Sequence, residues 1–508
     1  MPRAMVEPSL VLDRDTRVPL AVQITGQLRA AVSGRRLRAG DRLPSSRALA
    51  ASLGVSRTVV TNAYLQLFAE GWLEGRHGSG TFVAQGAAGG PPSPPPPGPA
   101  QRPPRHPGAP RPPQPPAEIV GATVHDTAAL APSARVAAPL GPLPGLVRAG
   151  PAVAEMRPGV PWVAGIDEAA WRRAWRQAGA AVPSRWPDPR GLLPLRTALC
   201  GYLRRSRGLD CTPEHILITR GVANGLSLLA HNRLRDGAPA GIEEPGYPVG
   251  RAILAARGAR VVPCRVDAHG LVVGELPDDL RLVYVTPAHQ YPLGGRLPVP
   301  RRQALIAWAR AAGALVVEDD YDSEFRYDVS PLPALYGLDT DVVAYLGTTS
   351  KLLTPALGVG WLVAQPRLVT ALATVRESLG DRTDEAAQRA VYAMIESGDL
   401  DRHIRRMRRE YARRRDAIVS ILGDPAVPAR LLGDTAGLHV VLELRRGHQD
   451  QVAATALERG VAVHTLRRYF GGTPTVQGLV LGYGSLPLAR VAAAATVLRD
   501  VLLALPAE

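Results

Sequence analysis

The chain carries 60 lysine and arginine residues, and a single one of them, Lys351, is lysine. Arginine therefore serves at every other position that needs a positive side chain. A lysine kept at one site points to chemistry that arginine cannot perform. Arginine stays protonated at any ordinary pH, whereas a shielded lysine amine can lose its proton and attack a carbonyl to form a Schiff base. Lys351 closes the segment GTTSK, which follows the apolar run VVAYL. The plainer reading is a leftover surface charge, and the surrounding sequence decides between the two.

Short apolar runs alternate with helical patterns between Cys211 and Gly360, as expected of a parallel α/β sheet. The candidate strands are HILIT, RLVYVT, ALVVE and VVAYL, and each leads into polar residues: Gly221 to Asn224, HQYPLG, DDYDSEF and GTTSK. Loops beyond the carboxyl ends of such strands line a ligand crevice, so Lys351 belongs to a cluster. The chemistry of that cluster fits pyridoxal phosphate held by Lys351. Asp319 can pair with the pyridinium nitrogen, and Tyr321 can donate to the ring hydroxyl. Tyr247, in EEPGYPVG, is suited to stack on the ring. A helix starting after Gly221 can offer the backbone N–H groups of Val222 and Ala223 to the phosphate, beside the hydroxyls of Thr348 and Ser350. His289 and Gln290 of HQYPLG are expected to line the same crevice. Taken alone, Asp319 reads equally well as a surface acid of the run EDDYD.

The N-terminal region carries a different pattern. PLAVQITGQLRAAVSGRRL spaces Val22, Leu28 and Val32, with Ile24 and Leu37, as a first amphipathic helix. Ser45 or Ser46 can cap a short helix reaching Leu53, Gly54 supplies a turn, and Ser56 can cap a second helix that runs to Gly71. WLEGRHGSGTFV then alternates around a glycine-rich tip, as a two-stranded wing does. This is a winged helix-turn-helix. It points Ser56, Arg57 and Thr58 into a major groove, with Arg47 on the preceding helix and His77 and Gly78 at the wing tip against the DNA backbone or the minor groove.

Between these regions, Pro91 to Pro116 holds 15 prolines in 26 residues and almost no apolar side chains. Such a tract cannot build a core. The expected domains are a DNA-binding unit over residues 10–85, a proline-rich flexible linker over 86–150 and a large domain over 151–508. The net charge of +15 favours an anionic partner. Much of the excess lies in RHIRRMRREYARRR (402–415), whose positive charges surround a helix and are expected to form a solvated face. Cys200, Cys211 and Cys264 show no ligand spacing, so neither disulfides nor a metal site are expected. With no run of 18 apolar residues and no N-terminal signal pattern, the sequence reads as cytoplasmic.

The segments LPSSRALA, LGVSRTVV and GSGTFV resemble the GntR family of winged helix-turn-helix regulators. EEPGYP, YVTPAHQYPLG, EDDYDSEFRY, YLGTTSK and HIRRMRREYARRR resemble fold-type I aminotransferases, and specifically the MocR subfamily of GntR regulators. The resemblance spans nearly the whole chain outside the linker. It implies a small α/β winged helix-turn-helix joined to a large α/β domain of the pyridoxal-phosphate-dependent transferase type. By the same likeness Lys351 forms the Schiff base, Asp319, Tyr321 and Tyr247 hold the ring, and Arg47, Arg57, Thr58 and His77 face DNA. The implied function is a homodimeric transcriptional regulator that binds double-stranded promoter DNA and senses a small amine or amino acid through its cofactor. Two departures stand out. Gly358 occupies the place where the family usually has a phosphate-binding arginine, and Leu293 replaces a small hydroxyl residue. Two alternatives stay open at this stage: an active aminotransferase carrying a DNA-binding domain, with Arg467 or Arg468 for the substrate carboxylate, and a regulator whose large domain has lost its cofactor.

Overall fold

The computed structural model describes residues 6–84 apart from 7, 9, 17, 35 and 77–79, and residues 154–505 apart from 328–332 and 446–447. The expected linker, 86–150, lies outside the described residues, as do His77 and Gly78.

The N-terminal unit contains helices α1 (Leu20–Ser33), α2 (Ser46–Leu53) and α3 (Arg57–Glu70), with strands β1 (Arg42–Leu43), β2 (Leu73–Arg76) and β3 (Gly80–Val83). The Ser45 hydroxyl accepts from Ala48 N–H at 3.2 Å and so caps α2, while Gly54 and Gly71 end α2 and α3 in the left-handed conformation. Ser56 occupies the N-cap position of α3 without a side-chain cap bond. The strands form an antiparallel sheet ordered β1-β3-β2. Ile24, Leu28 and Val32 of α1 pack with Leu49, Val60, Leu67 and Trp72 in one core. Val22, expected on the same stripe, is exposed. Six residues separate it from Leu28, which at 100° per residue sets it well away from the buried face.

The first described element of the large domain is β4 (Ala154–Glu155), and the domain is built on an eight-stranded sheet. Its strands are β5 (Ile216–Thr219), β6 (Pro239–Glu244), β7 (Arg260–Asp267), β8 (Gly270–Leu271), β9 (Leu282–Val285), β10 (Leu315–Asp319), β11 (Val343–Thr348) and β12 (Gly360–Val363). The spatial order is β5-β12-β11-β10-β9-β6-β7-β8. The four strands expected from sequence are β5, β9, β10 and β11. The sheet is mixed where the sequence suggested a parallel one, because β12 runs antiparallel to both β11 and β5, and β8 antiparallel to β7. Helices α5 (Leu193–Arg207), α6 (Val222–Arg233), α7 (Pro248–Ala256), α8 (Val299–Ala312) and α9 (Pro366–Ser378) pack on it, and α4 (Glu168–Gly179), α10 (Glu385–Glu396) and α11 (Asp399–Leu422) pack on other helices. The C-terminal part adds β13 (Ala429–Leu432), β14 (His439–Leu444), β15 (Val461–Ala462), β16 (His464–Thr465) and β17 (Gly478–Gly482), with helices α12 (Gln449–Glu458) and α13 (Leu488–Leu503). Four of these strands form a sheet ordered β13-β14-β17-β16, and β15 pairs in parallel with β4.

The basic helix α11 is not a solvated face all round. His403, Met407, Tyr411, Arg414 and Ile418 are buried at near-helical spacing. The Arg414 guanidinium lies 4.1 Å from the ring centroid of Trp162 and donates to Gly484 O at 2.8 Å. Local charge density could not distinguish this inward arginine from its outward neighbours. Among the described residues no helix is long and apolar enough to cross a membrane, and no group of histidine, cysteine and acidic residues could hold a metal ion. Cys200, Cys211 and Cys264 are free thiols.

Candidate functional site

The ends of β5, β10 and β11 bring the expected residues of the large domain together. Lys351 follows β11, and its amine donates to the carbonyl of Gly159 at 2.6 Å. Burial lowers its pKa, against the opposing pull of Asp319 and Asp322. A lysine so placed is easier to deprotonate than one in water, which Schiff-base chemistry requires. Gly159 stands 192 positions earlier and carries no motif that identifies it.

Asp319 ends β10. The reading of EDDYD as surface acids fails here, since Glu318, Asp319, Asp320 and Asp322 are all buried, as is Glu324 just beyond the run. Each has its own environment. Glu318 accepts from the N–H groups of Leu335 and Tyr336, while Asp320 takes Arg207, Tyr345 and Ser323. Asp319 accepts from the Tyr284 hydroxyl through Oδ2, but its Oδ1 is buried without a hydrogen-bond partner. Burial is the main reason its pKa is pushed up to about 7, with Tyr284 and the charge of Lys351 opposing. Leaving a buried acceptor unpaired costs roughly 1–3 kcal/mol. An aromatic nitrogen bearing a proton is the kind of group that satisfies it.

Aromatic and histidine side chains line the same region. The Tyr247 ring stacks on Tyr284 with centroids 6.2 Å apart and meets Tyr291 edge-on at 6.1 Å. The Tyr321 hydroxyl is 3.0 Å from His289 Nδ1, which also lies 2.9 Å from the Asp322 carboxylate. His439 is buried against His289 and Tyr291, and burial holds its pKa down at about 4. The side chain of Gln290 is held by the protein itself. Its amide nitrogen donates to Pro245 O and Tyr291 O, and its oxygen accepts from Leu293 N–H. It braces the loop that carries His289. Tyr284, Tyr291, Asp322 and His439 were missed in the sequence, although Tyr284, Tyr291 and Asp322 lie inside segments already singled out.

An anion cradle forms beside the lysine. Thr348 Oγ1 donates to Ser350 Oγ at 2.9 Å and accepts from Ser350 N–H at 3.0 Å. Gly221 N-caps α6 at φ 105°, a conformation that favours glycine, and a methyl group built there would stand 3.7 Å from Thr348 Oγ1 and 3.9 Å from Ser350 Oγ. The first-turn N–H groups of α6, at Val222 and Ala223, have no acceptor within their own helix. Hydroxyls, helix terminus and glycine thus converge as a phosphate site needs. Gly358 adds nothing to it. It ends a short turn at φ 56°, and the space around its missing Cβ is open for 4 Å.

In the N-terminal unit Arg47, Ser56, Arg57 and Thr58 are exposed, Arg47 on α2 and the other three at the start of α3. Neither arginine makes an ion pair among the described residues. The start of α3 therefore presents a free cation, two hydroxyls and a helix N-terminus on one edge, which is the chemistry of a major-groove reader.

Residues 20–83 match the gntR family of bacterial regulatory proteins, and residues 169–475 match aminotransferase class I and II. The chain is 40% identical over 473 residues to the HTH-type pyridoxine biosynthesis transcriptional regulator PdxR of Corynebacterium glutamicum, covering 92% of each chain. It is 33% identical over 505 residues to the probable rhizopine catabolism regulatory protein MocR of Rhizobium meliloti, covering 98% of this chain and 96% of that one. Among solved structures it is similar to LysN, the α-aminoadipate aminotransferase of Thermus thermophilus complexed with N-(5'-phosphopyridoxyl)-L-leucine. That likeness has a TM-score of 0.63 and 26% identity over 69% of this chain and 92% of that one. A kynurenine aminotransferase of Pyrococcus horikoshii, with a TM-score of 0.64 and 22% identity, covers 69% of this chain and 90% of its own, and shares the fold. A DNA-reading head on an aminotransferase-like body defines a class of transcriptional regulator. This chain belongs to the MocR subfamily of the GntR regulators.

Proposed function

We propose that the chain regulates transcription by binding promoter DNA through Arg47, Ser56, Arg57 and Thr58, under the control of pyridoxal phosphate held at Lys351. The observation that carries this reading is the buried, unpartnered Oδ1 of Asp319, in a site whose lysine already has a lowered pKa. Asp319 pairs with the pyridine nitrogen, Tyr247 packs against the ring, and Thr348, Ser350 and the first turn of α6 take the phosphate. Tyr321 and His289 serve the polar edge of the ring. When bound, the cofactor supplies an aldehyde carbon for which Lys351 and incoming primary amines compete, and that competition is how a small amine or amino acid is sensed.

Arg468 gives the effector its second handle. Arg467 is spent on Asp450, but Arg468 is half-buried without an ion pair among the described residues, and its charge acts on Tyr291, Tyr469 and His464. A carboxylate on the effector would neutralise it, so an amino acid suits the pocket better than a simple amine. We further propose a cytoplasmic homodimer, since paired DNA half-sites call for two heads. A second reading, in which the large domain serves only to dimerise, draws its support from Gly358. Adding pyridoxal phosphate to the purified protein separates the two. A near-visible absorbance band, and borohydride reduction that fixes pyridoxyl mass on Lys351, support cofactor sensing; an unmodified Lys351 at saturating cofactor supports the second reading.

A further inference from the structure

The loop that lines the candidate pocket ends where the DNA-reading unit is docked. Residues 286–297 carry His289, Gln290 and Tyr291 and are held as one body: Leu297 N–H donates to Pro287 O at 2.9 Å, and Gln290 N–H to Gly295 O at 2.6 Å. Arg302, buried in α8, grips both ends of this loop, donating to Pro287 O at 3.1 Å and to Leu297 O at 2.7 Å. Pro298 and Val299 come next. A methyl group on Gly71, the residue that ends α3, would stand 3.2 Å from Pro298 Cβ and 3.3 Å from Val299 N. Val299 is counted in the same apolar core as Leu67 and Trp72. Arg29, Glu70 and Trp72 of the N-terminal unit and Val299, Arg302, Pro333 and Leu338 of the large domain line a cavity of about 40 Å³ that opens to solvent.

Charge follows the same route. Glu70, the last residue of α3, is buried and bidentate with Arg29. Arg302 feels both Glu70 and Glu318, the neighbour of Asp319 on β10. One buried guanidinium thus stands between the end of the recognition helix and the strand that ends at the candidate cofactor partner.

We propose that this docking surface, formed by Pro298, Val299, Arg302 and Leu338 against Glu70, Gly71 and Trp72, transmits the state of the Lys351 pocket to α3. The proposal rests on the cofactor-sensing reading above. A shift of the 286–297 loop on ligand binding is passed through Arg302 to Val299, and so to the end of the helix whose start reads DNA. Packed contacts transmit such shifts because close-packed interiors yield little, and couplings of this kind change affinity about 5- to 150-fold.

Leu338 lines the cavity from the large domain and is 47% exposed, so Leu338→Glu brings a carboxylate toward Glu70 without opening a core. Val299→Ala is the milder second variant. With full-length protein and the DNA upstream of its own coding sequence, affinity is measured at fixed salt with and without pyridoxal phosphate. Hydrogen exchange of residues 68–73 is followed in parallel. The wild type should show at least about a 5-fold cofactor effect on affinity and a cofactor-dependent change in exchange at 68–73. Leu338→Glu should keep the near-visible band and bring the affinity ratio to within about 2-fold of unity, well below that coupling range, with Val299→Ala in between. A full wild-type ratio in Leu338→Glu, or a band that forms with no response at 68–73, overturns the proposed route and leaves cofactor sensing standing. Failure of the band itself overturns the sensing reading and this route with it.

Discussion

Asp319→Asn should make the cofactor-free protein more stable, although it removes a group assigned to cofactor binding. Burial raises the folded-state pKa of Asp319 from 3.8 to about 7. A group raised in this way contributes fully below its unfolded value, and that contribution is lost as pH rises through the folded one. At about 1.36 kcal/mol per pH unit, an ionised Asp319 costs the folded state roughly 4 kcal/mol once pH exceeds 7. Asparagine still accepts from Tyr284 but leaves its amide unpaired where Oδ1 stood, which returns about 1–2 kcal/mol. The net expectation is a gain of about 2–3 kcal/mol at about pH 8.5, shrinking to near zero at about pH 5, where the folded wild type is already neutral at this site. Urea melts followed by tryptophan fluorescence measure it, since Trp361 is buried on β12 beside the site strands. Pyridoxal phosphate should reverse the order, because its protonated ring nitrogen pairs with the aspartate and not with the amide. A variant less stable than wild type at pH 8.5, or a difference that does not change with pH, would refute the assignment of Asp319 as a strained and waiting carboxylate.

Arg57→Ala should weaken DNA binding by about 1–3 kcal/mol in gel shifts at fixed salt, while the near-visible cofactor band stays unchanged. Undiminished binding removes Arg57 from the reading edge. Gly358→Arg has room for its side chain, and its left-handed backbone costs about 1–2 kcal/mol of folding stability with or without cofactor, while a charge-assisted phosphate contact adds roughly 1.5–3 kcal/mol to cofactor binding. An absorbance titration should therefore show cofactor affinity improved by about 10- to 150-fold, and a loosened complex would mean that the phosphate lies elsewhere. Arg414→Ala should lower the unfolding free energy by on the order of 3 kcal/mol, because it strips a buried cation from Trp162 and from the carbonyls of Tyr483 and Gly484. A change near zero in denaturant melts would return the basic helix to the solvated face first expected of it.

What was legible in the sequence was local. Ser45, Gly54 and Gly71 mark the ends of α2 and α3 because caps and left-handed glycines act within a few residues. The rarity of lysine picked out Lys351, and its place after an apolar run set it at a strand end. Less legible were contacts made across the chain. Gly159 reaches Lys351 from 192 residues away, and the Tyr284 hydroxyl meets Asp319 only because β9 and β10 are neighbours. The direction of β12 is likewise invisible in GWLV, since an apolar run of four reads the same either way. Gln290 and Arg414 show the remaining gap. Residue type suggested a ligand contact for one and solvent for the other, and packing made both of them braces.

The central claim is that the cofactor at Lys351 governs DNA binding, and one comparison tests it most directly. The affinity of wild-type protein and of Lys351→Arg for the DNA upstream of the coding sequence is measured at one salt concentration, with and without pyridoxal phosphate. Arginine preserves the charge and cannot form the covalent link. The wild type should respond to the cofactor by at least about 5-fold, and Lys351→Arg should bind DNA with no response at all. Equal responses in the two proteins, or none in a wild type that carries the pyridoxyl label on Lys351, would contradict the account.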